Sequence, residues 1–168
     1  GIYRTSIIGP STMAYNFKKF SGIRFNEELS NGHDRLFKLL LLKDAQKVAF
    51  SPKIYAREGK GVNIFDSAGW GAERSLVLIG SYIEMSKAII RDVKLEKPHK
   101  KYIRTQLKTS RCSFIASILH LMREGRKVDM RTVKETVKRD PFLALLFLPG
   151  VLMAVISRIR AGKHLRRG

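Results

Sequence analysis

The segment FNEELSNGHDRLFKLLLLKDAQ, residues 25–46, decides the first half of the fold. Its Asn31-Gly32 pair favours a tight turn, because both residue types tolerate the backbone geometry that turns require. From Asp34 onward, apolar side chains recur with a spacing that gives one broad apolar helix face. The segment therefore predicts a turn followed by a mostly buried helix over residues 34–46.

Short strands are expected on both sides of this helix. Residues 12–17 are apolar or β-tolerant, and residues 47–51 and 53–56 flank Pro52, which suits an edge strand or a bulge. A glycine-rich loop over residues 58–71 follows, with a composition typical of turns. The predicted fold class for residues 1–95 is therefore α/β with few short strands.

The second half of the chain is predicted to be helical and basic. Residues 72–93 have helical apolar spacing, and residues 95–98 contain a proline that ends this pattern, so we place a boundary there. Further helices follow, one of them capped by Asp129. Residues 96–140 are expected to form a basic helical extension.

Residues 142–156 form an apolar run that is interrupted by Pro149-Gly150 and followed by several cations. The run is too short to span a bilayer, which takes about 20 apolar residues. A helix that lies in the plane of the membrane surface, followed by cations that contact the headgroups, fits better. The alternative is a core helix with a basic end. Residues 141–168 are therefore predicted to be an amphipathic membrane-associating helix with a basic tail.

The formal net charge of +19 predicts a polyanionic partner, such as nucleic acid, anionic lipid or a phosphorylated substrate. The basic stretches lack regular aromatic interleaving and known nucleic-acid-binding signatures, so no nucleic acid is expected. The single cysteine, Cys112, excludes an internal disulfide and indicates a reducing cytoplasm. We expect it to be a small buried residue on a helix.

Residues 25–34 resemble the acceptor-side motif of family 2 glycosyltransferases of the GT-A fold. That motif has a phenylalanine, an acidic or amide residue, a leucine, a short gap, and then Gly-Glu-Asp at the start of a helix. The resemblance continues more loosely to about residue 95, where the chain is similar to bacterial exopolysaccharide glucosyltransferases of the succinoglycan type. It implies that residues 1–95 are a truncated, Rossmann-like GT-A acceptor half.

The resemblance implies that Asp34 is the catalytic base. An inverting transfer needs a group that takes the proton of the acceptor hydroxyl as this oxygen attacks the anomeric carbon. His33 stands where the family usually has Glu, so the site has one negative charge fewer. His33 is expected to contact the substrate. The alternative for Asp34 is a helix cap.

The resemblance also places the loop after the next strands near the donor diphosphate. Arg57 and Lys60 lie there, and a guanidinium suits phosphate because it forms paired charged hydrogen bonds. Trp70 and Asn63 are expected to bind the acceptor, since an indole face stacks on sugar rings. The alternatives are solvated loop charges for Arg57 and Lys60 and ordinary packing for Trp70.

Family members bind the nucleotide sugar and a divalent cation through an N-terminal half with an Asp-x-Asp signature, which this sequence lacks. The resemblance therefore implies a Mg²⁺ or Mn²⁺ ion whose ligands lie outside this chain. The isolated chain is expected to be an incomplete enzyme. The expected function is transfer of a sugar from a nucleotide sugar to a lipid-linked or saccharide acceptor in surface polysaccharide biosynthesis. The protein is expected to be peripheral at the cytoplasmic face of the bacterial inner membrane, in contact with anionic lipids. The alternative is a non-enzymatic basic helical module that binds nucleic acid or anchors to membranes.

Overall fold

The computed structural model describes residues 13–49, 51, 53, 71–72 and 74–147. This part of the chain forms four helices: α1 (His33–Asp44), α2 (Ser75–Asp92), α3 (Lys97–Arg123) and α4 (Met130–Arg139). Residues 142–147 are also helical. The described residues are therefore helices joined by turns and irregular segments, without a β-strand.

The predicted α/β fold, a truncated GT-A acceptor half, is wrong for these residues. Where a strand was expected to end, Asn16 instead closes a turn, because its side-chain and backbone oxygens accept the amides of Lys19 and Phe20, each at 3.2 Å. Such local bonds compete with a sheet ladder for the backbone. Residues 47–49 are irregular and pair with no other strand. The remaining residues of the predicted strands lie outside the described part of the chain.

The predicted helix after Asn31-Gly32 is confirmed as α1, which begins one residue earlier than expected. Gly32 precedes it with a left-handed φ of 77°, a conformation that glycine adopts without steric cost. The Asn31 side chain accepts the Gly32 amide at 2.8 Å and donates to Ser81 Oγ at 3.2 Å. Because Ser81 lies on α2, the start of α1 is fixed to that helix.

Helices α2 and α3 form an antiparallel hairpin that provides most of the core. The C-terminal part of α2 packs with Ile103 near the start of α3, while the N-terminal part of α2 packs with Leu121 near the end of α3. Pro98 stands in the first turn of α3, where its missing amide hydrogen costs no helical hydrogen bond. Since α2 contacts α1, α3 and α4, it is the central helix.

Helix α4 begins at the cap that the sequence predicted. Asp129 accepts hydrogen bonds from the backbone amides of Arg131 and Thr132 at 3.1 and 3.2 Å, and from the Thr132 hydroxyl at 2.7 Å. Before it, α3 ends through Gly125, which has a φ of 65°. These two local signals place α4 against α2.

Residues on both sides of the predicted boundary at residue 95 share the core. The first apolar cluster joins α1 and α2 to Ile103, and the second joins α2 to the rest of α3 and to Leu143. The division into folding units at residue 95 stays a prediction. The expected burial of Cys112 is wrong, because this free cysteine lies on the exposed face of α3.

Candidate functional site

Asp34 and His33 lie together in the first turn of α1, where the motif placed them. Asp34 does not cap the helix, because no side chain accepts a capping hydrogen bond there and the cap position is Gly32. Its carboxylate lies 3.5 Å from Lys38 Nζ, with 34 % of the Asp34 side chain exposed and only 9 % of the Lys38 side chain. The carboxylate is therefore oriented by a nearly buried cation and still accessible from solvent.

Aromatic rings surround this end of α1. Phe25 stacks on Phe37 with ring centroids 4.2 Å apart, and meets the His33 ring edge-on at 5.7 Å. Tyr15 contacts the other side of the cluster, 5.5 Å from Phe37. Phe37 is buried, whereas Tyr15 and Phe25 are 40 % and 48 % exposed. A partly exposed aromatic surface therefore adjoins His33, the residue before Asp34 in the first turn of α1.

The start of α1 is held rigidly by its contact with α2. A Cβ on Gly32 would lie 2.9 Å from Met85 Cγ, so the chain at this point packs directly on the Met85 side chain. Leu29, just before the turn, is buried in the same cluster as Met85. Asp34 is thus positioned by a fixed turn, and a group on a rigid element holds its geometry better than one on a free loop.

The other predicted site residues cannot be placed relative to Asp34. Two of them, Arg57 and Lys60, were expected at the donor diphosphate, and two others, Asn63 and Trp70, at the acceptor. All four lie outside the described residues. Their roles stay predictions. Of the predicted site, the structure brings together only Asp34 and His33.

The described residues contain no group of three or more His, Cys, Asp or Glu side chains that could hold a metal ion. Nor is any helix of the described part long and apolar enough to cross a membrane.

A second polar feature is a row of cations on α3. Five exposed cations line an open groove of about 430 Å³. We call them the α3 cationic surface: Lys97, Lys100, Lys101, Arg104 and Lys108. No acidic residue occurs between Lys97 and Arg123. Within the described part of the chain, none of the five forms an ion pair.

Sequence reasoning missed the surroundings of Asp34. The Lys38 pair could have been found, because Asp and Lys four residues apart on a helix are neighbours. The contact of Tyr15 with Phe37 joins residues far apart in the chain and leaves no signal in local spacing. The aromatic surface beside the motif is therefore a finding of the structure.

A scan against protein-family models gives no match for this chain, and searches of curated proteins and of solved structures also give none. The start of α1 and the α3 cationic surface are the two features of the described residues that bear on function.

Proposed function

We propose that this chain is the acceptor-side part of an inverting glycosyltransferase and that Asp34 is its catalytic base. The Asp34 carboxylate takes the proton of the acceptor hydroxyl, whose oxygen forms a bond to the anomeric carbon of the donor sugar. The bond between that carbon and the nucleoside diphosphate breaks, and its electron pair leaves with the diphosphate. The role of Asp34 is taken from the resemblance of residues 25–34, and the chemistry is assigned to the start of α1.

One observation carries the proposal: in the first turn of α1, the solvent-accessible Asp34 carboxylate directly follows His33, whose ring meets the exposed ring of Phe25. Tyr15, which is also exposed, contacts the same aromatic cluster through Phe37. Aromatic faces suit the apolar C–H surfaces of sugar rings, and the polar edge of a Tyr ring can also form a hydrogen bond. A sugar resting on these rings would bring a hydroxyl within reach of Asp34. His33, whose ring contacts Phe25, would line the same site.

The proposed donor is a nucleotide sugar and the proposed acceptor is a lipid-linked or free saccharide in surface polysaccharide assembly. The donor-binding groups and any Mg²⁺ or Mn²⁺ ligands are assigned to parts of the enzyme other than the described residues. No step assigned to Asp34 passes through a metal. The reaction is placed at the cytoplasmic face of a bacterial inner membrane, where lipid-linked acceptors lie.

The test compares Asp34→Asn with wild type in the protein made from its complete gene. Membranes are supplied with labelled UDP-glucose, UDP-galactose or GDP-mannose, and label is counted in the organic-solvent extract and in polymer. Loss of a general base is expected to lower the transfer rate by about 100-fold or more. The substitution keeps the size of the side chain, so a change in the thermal unfolding midpoint reports separately on folding.

Asp44→Asn is the matched control, because Asp44 is exposed at the opposite end of α1. It is expected to retain wild-type transfer. Near wild-type transfer by Asp34→Asn would refute the assignment of the base. Absence of transfer from all three donors by the wild-type protein would count against the enzyme class and favour the non-enzymatic alternative.

The aromatic surface has its own test in the same assay. Phe25→Ala removes the exposed ring beside His33, and is expected to raise the KM for the acceptor more than it lowers kcat. Phe17→Ala is the control, since Phe17 is also exposed but its ring contacts Arg24 instead of the α1 cluster. Equal effects of the two substitutions would show that Phe25 has no special role.

A further inference from the structure

The α3 cationic surface is a costly arrangement for the isolated helix. Like charges are neighbours along the same helix face, because three pairs of cations are spaced four residues apart. These pairs are Lys97/Lys101, Lys100/Arg104 and Arg104/Lys108. None of these side chains has an ion-pair partner among the described residues. A row of uncompensated cations is the electrostatic footprint of a polyanionic partner.

The row continues into an exposed apolar edge. Lys101, Arg104, Lys108 and Arg111 follow one another at spacings of three and four residues, which places them along one line of the helix surface. The Arg111 guanidinium lies over the ring of Phe142, 4.6 Å from its centroid. Phe142 is 48 % exposed and Leu145, one helical turn further on, is 64 % exposed. Helix α3 therefore leads from the exposed cations to Phe142 through Arg111, which is itself paired with Asp140.

We propose that the α3 cationic surface docks this protein on the surface of an anionic phospholipid bilayer. The cations from Lys97 to Lys108 extend over about 16 Å of the helix axis, so they can contact several headgroups at once. Phe142 and Leu145 then face the boundary between headgroups and acyl chains, where burial of apolar area adds to the charge attraction. This proposal deepens the membrane location in the proposed function and names the surface responsible.

A bilayer suits this surface better than nucleic acid does. Proteins that bind single strands place successive aromatic rings along a basic groove for the bases to stack on. The five residues of the α3 cationic surface and Thr105 line their groove without an aromatic ring. The exposed ring of Phe142 already has the Arg111 guanidinium over its face.

The test is flotation of the full chain with vesicles. Vesicles of phosphatidylcholine alone are compared with vesicles in which about one-third of the lipid is phosphatidylglycerol. The wild-type protein is expected to float with the anionic vesicles only, and to be released when NaCl is raised from about 0.1 M to about 1 M. Equal flotation with the neutral vesicles would overturn the proposal.

The decisive variant changes Lys101, Arg104 and Lys108 to Gln. Each charge near an anionic membrane contributes about a fivefold increase in binding, so the triple variant is expected to partition about 100-fold more weakly. The matched control changes Lys127, Lys134 and Lys138 to Gln, which removes the same charge from exposed positions outside α3. The control is expected to float like wild type. Flotation of the α3 variant like wild type, or loss of flotation by both variants alike, would overturn the proposal.

Two further measurements separate this proposal from other interpretations. A labelled oligonucleotide competes with the anionic vesicles at the same salt concentration; tighter binding to the oligonucleotide, abolished by the α3 variant, would assign the surface to nucleic acid and overturn membrane docking. Asp34→Asn is expected to float like wild type. Loss of transfer with intact flotation, or the reverse, therefore shows which of the two proposals fails.

Discussion

Arg111 and Asp140 form a paired, buried salt bridge that joins α3 to the end of α4. The Arg111 guanidinium donates two hydrogen bonds to the Asp140 carboxylate, at 2.7 and 2.8 Å, and only 4 % of the Asp140 side chain is exposed. Lys87 of α2 adds a second cation 3.6 Å from the same carboxylate. Asp140 thus connects three helices.

Removing this carboxylate should strongly destabilise the fold. Asp140→Asn leaves the largely buried Arg111 guanidinium without its anionic partner, and breaking one side of a buried pair costs about 3 kcal/mol or more. Urea unfolding should show a lower midpoint with an unchanged slope. Glu135→Gln is the control, because its bond with Arg131 is exposed and worth at most about 1 kcal/mol. Similar losses in both variants would contradict the role of burial.

Gly32 should not tolerate a side chain. Alanine there would carry the strain of a left-handed backbone, and its Cβ would overlap the Met85 thioether. Together these effects should lower the free energy of unfolding by about 3 kcal/mol. Gly22→Ala is the matched control, since Gly22 has no atom within 4 Å of the added Cβ and no positive φ. If both variants unfold at the wild-type urea midpoint, Gly32 does not constrain the start of α1.

The cap of α4 should make stability depend on pH in acid. The Thr132 hydroxyl, followed by the Thr132 amide, lowers the pKa of Asp129 below its ordinary value of 3.8. Because the pKa is lower in the folded than in the unfolded protein, the stabilisation is complete above pH 3.8 and is lost as the pH falls through the folded pKa. The advantage of wild type over Asp129→Ala, about 1 kcal/mol at neutral pH, should shrink in that acid range.

Asp129→Asn is the natural comparison for that experiment, since Asn caps helices well and does not titrate in acid. As the pH is lowered from 7 to about 2.5, the urea midpoint of wild type should approach that of Asp129→Ala. The difference in midpoint between Asp129→Asn and Asp129→Ala should stay nearly constant. A wild-type advantage that persists unchanged to the lowest pH would contradict the cap.

Ser117→Ala should stabilise the protein. Ser117 is fully buried in α3, and its hydroxyl has no hydrogen-bond partner among the described residues. Removing an unpaired buried hydroxyl and gaining helix propensity should together raise the free energy of unfolding by about 1 kcal/mol. Ser113→Ala, on the same helix and only partly buried, should gain only the propensity, about 0.5 kcal/mol. A less stable Ser117→Ala variant would show that the hydroxyl has an important partner.

Local patterns in the sequence determined the helices. The apolar spacing in residues 34–46 and 72–93, the turn at Asn31-Gly32 and the cap at Asp129 each depend on neighbours a few residues away. The structure confirms the turn, the cap and both helices, although α1 ends at Asp44 and α2 spans Ser75–Asp92. The catalytic assignment of Asp34 came from the same segment by resemblance, and it stays a proposal. The sequence also showed the charge, and helical spacing in residues 97–111 places several of the cations on one helix face.

Only the tertiary structure decided what depends on contacts between distant residues. Among the described residues the expected strands are absent, because a strand needs a partner to take its backbone hydrogen bonds, whereas local bonds such as those to Asn16 formed a turn instead. Pairing of Arg111 with Asp140, 29 residues away, follows from how the helices pack. Stacking of Phe25 on Phe37 follows from how the segment before α1 folds onto that helix. The exposure of Cys112 has the same origin, because the face of α3 that α2 covers is fixed by packing between helices.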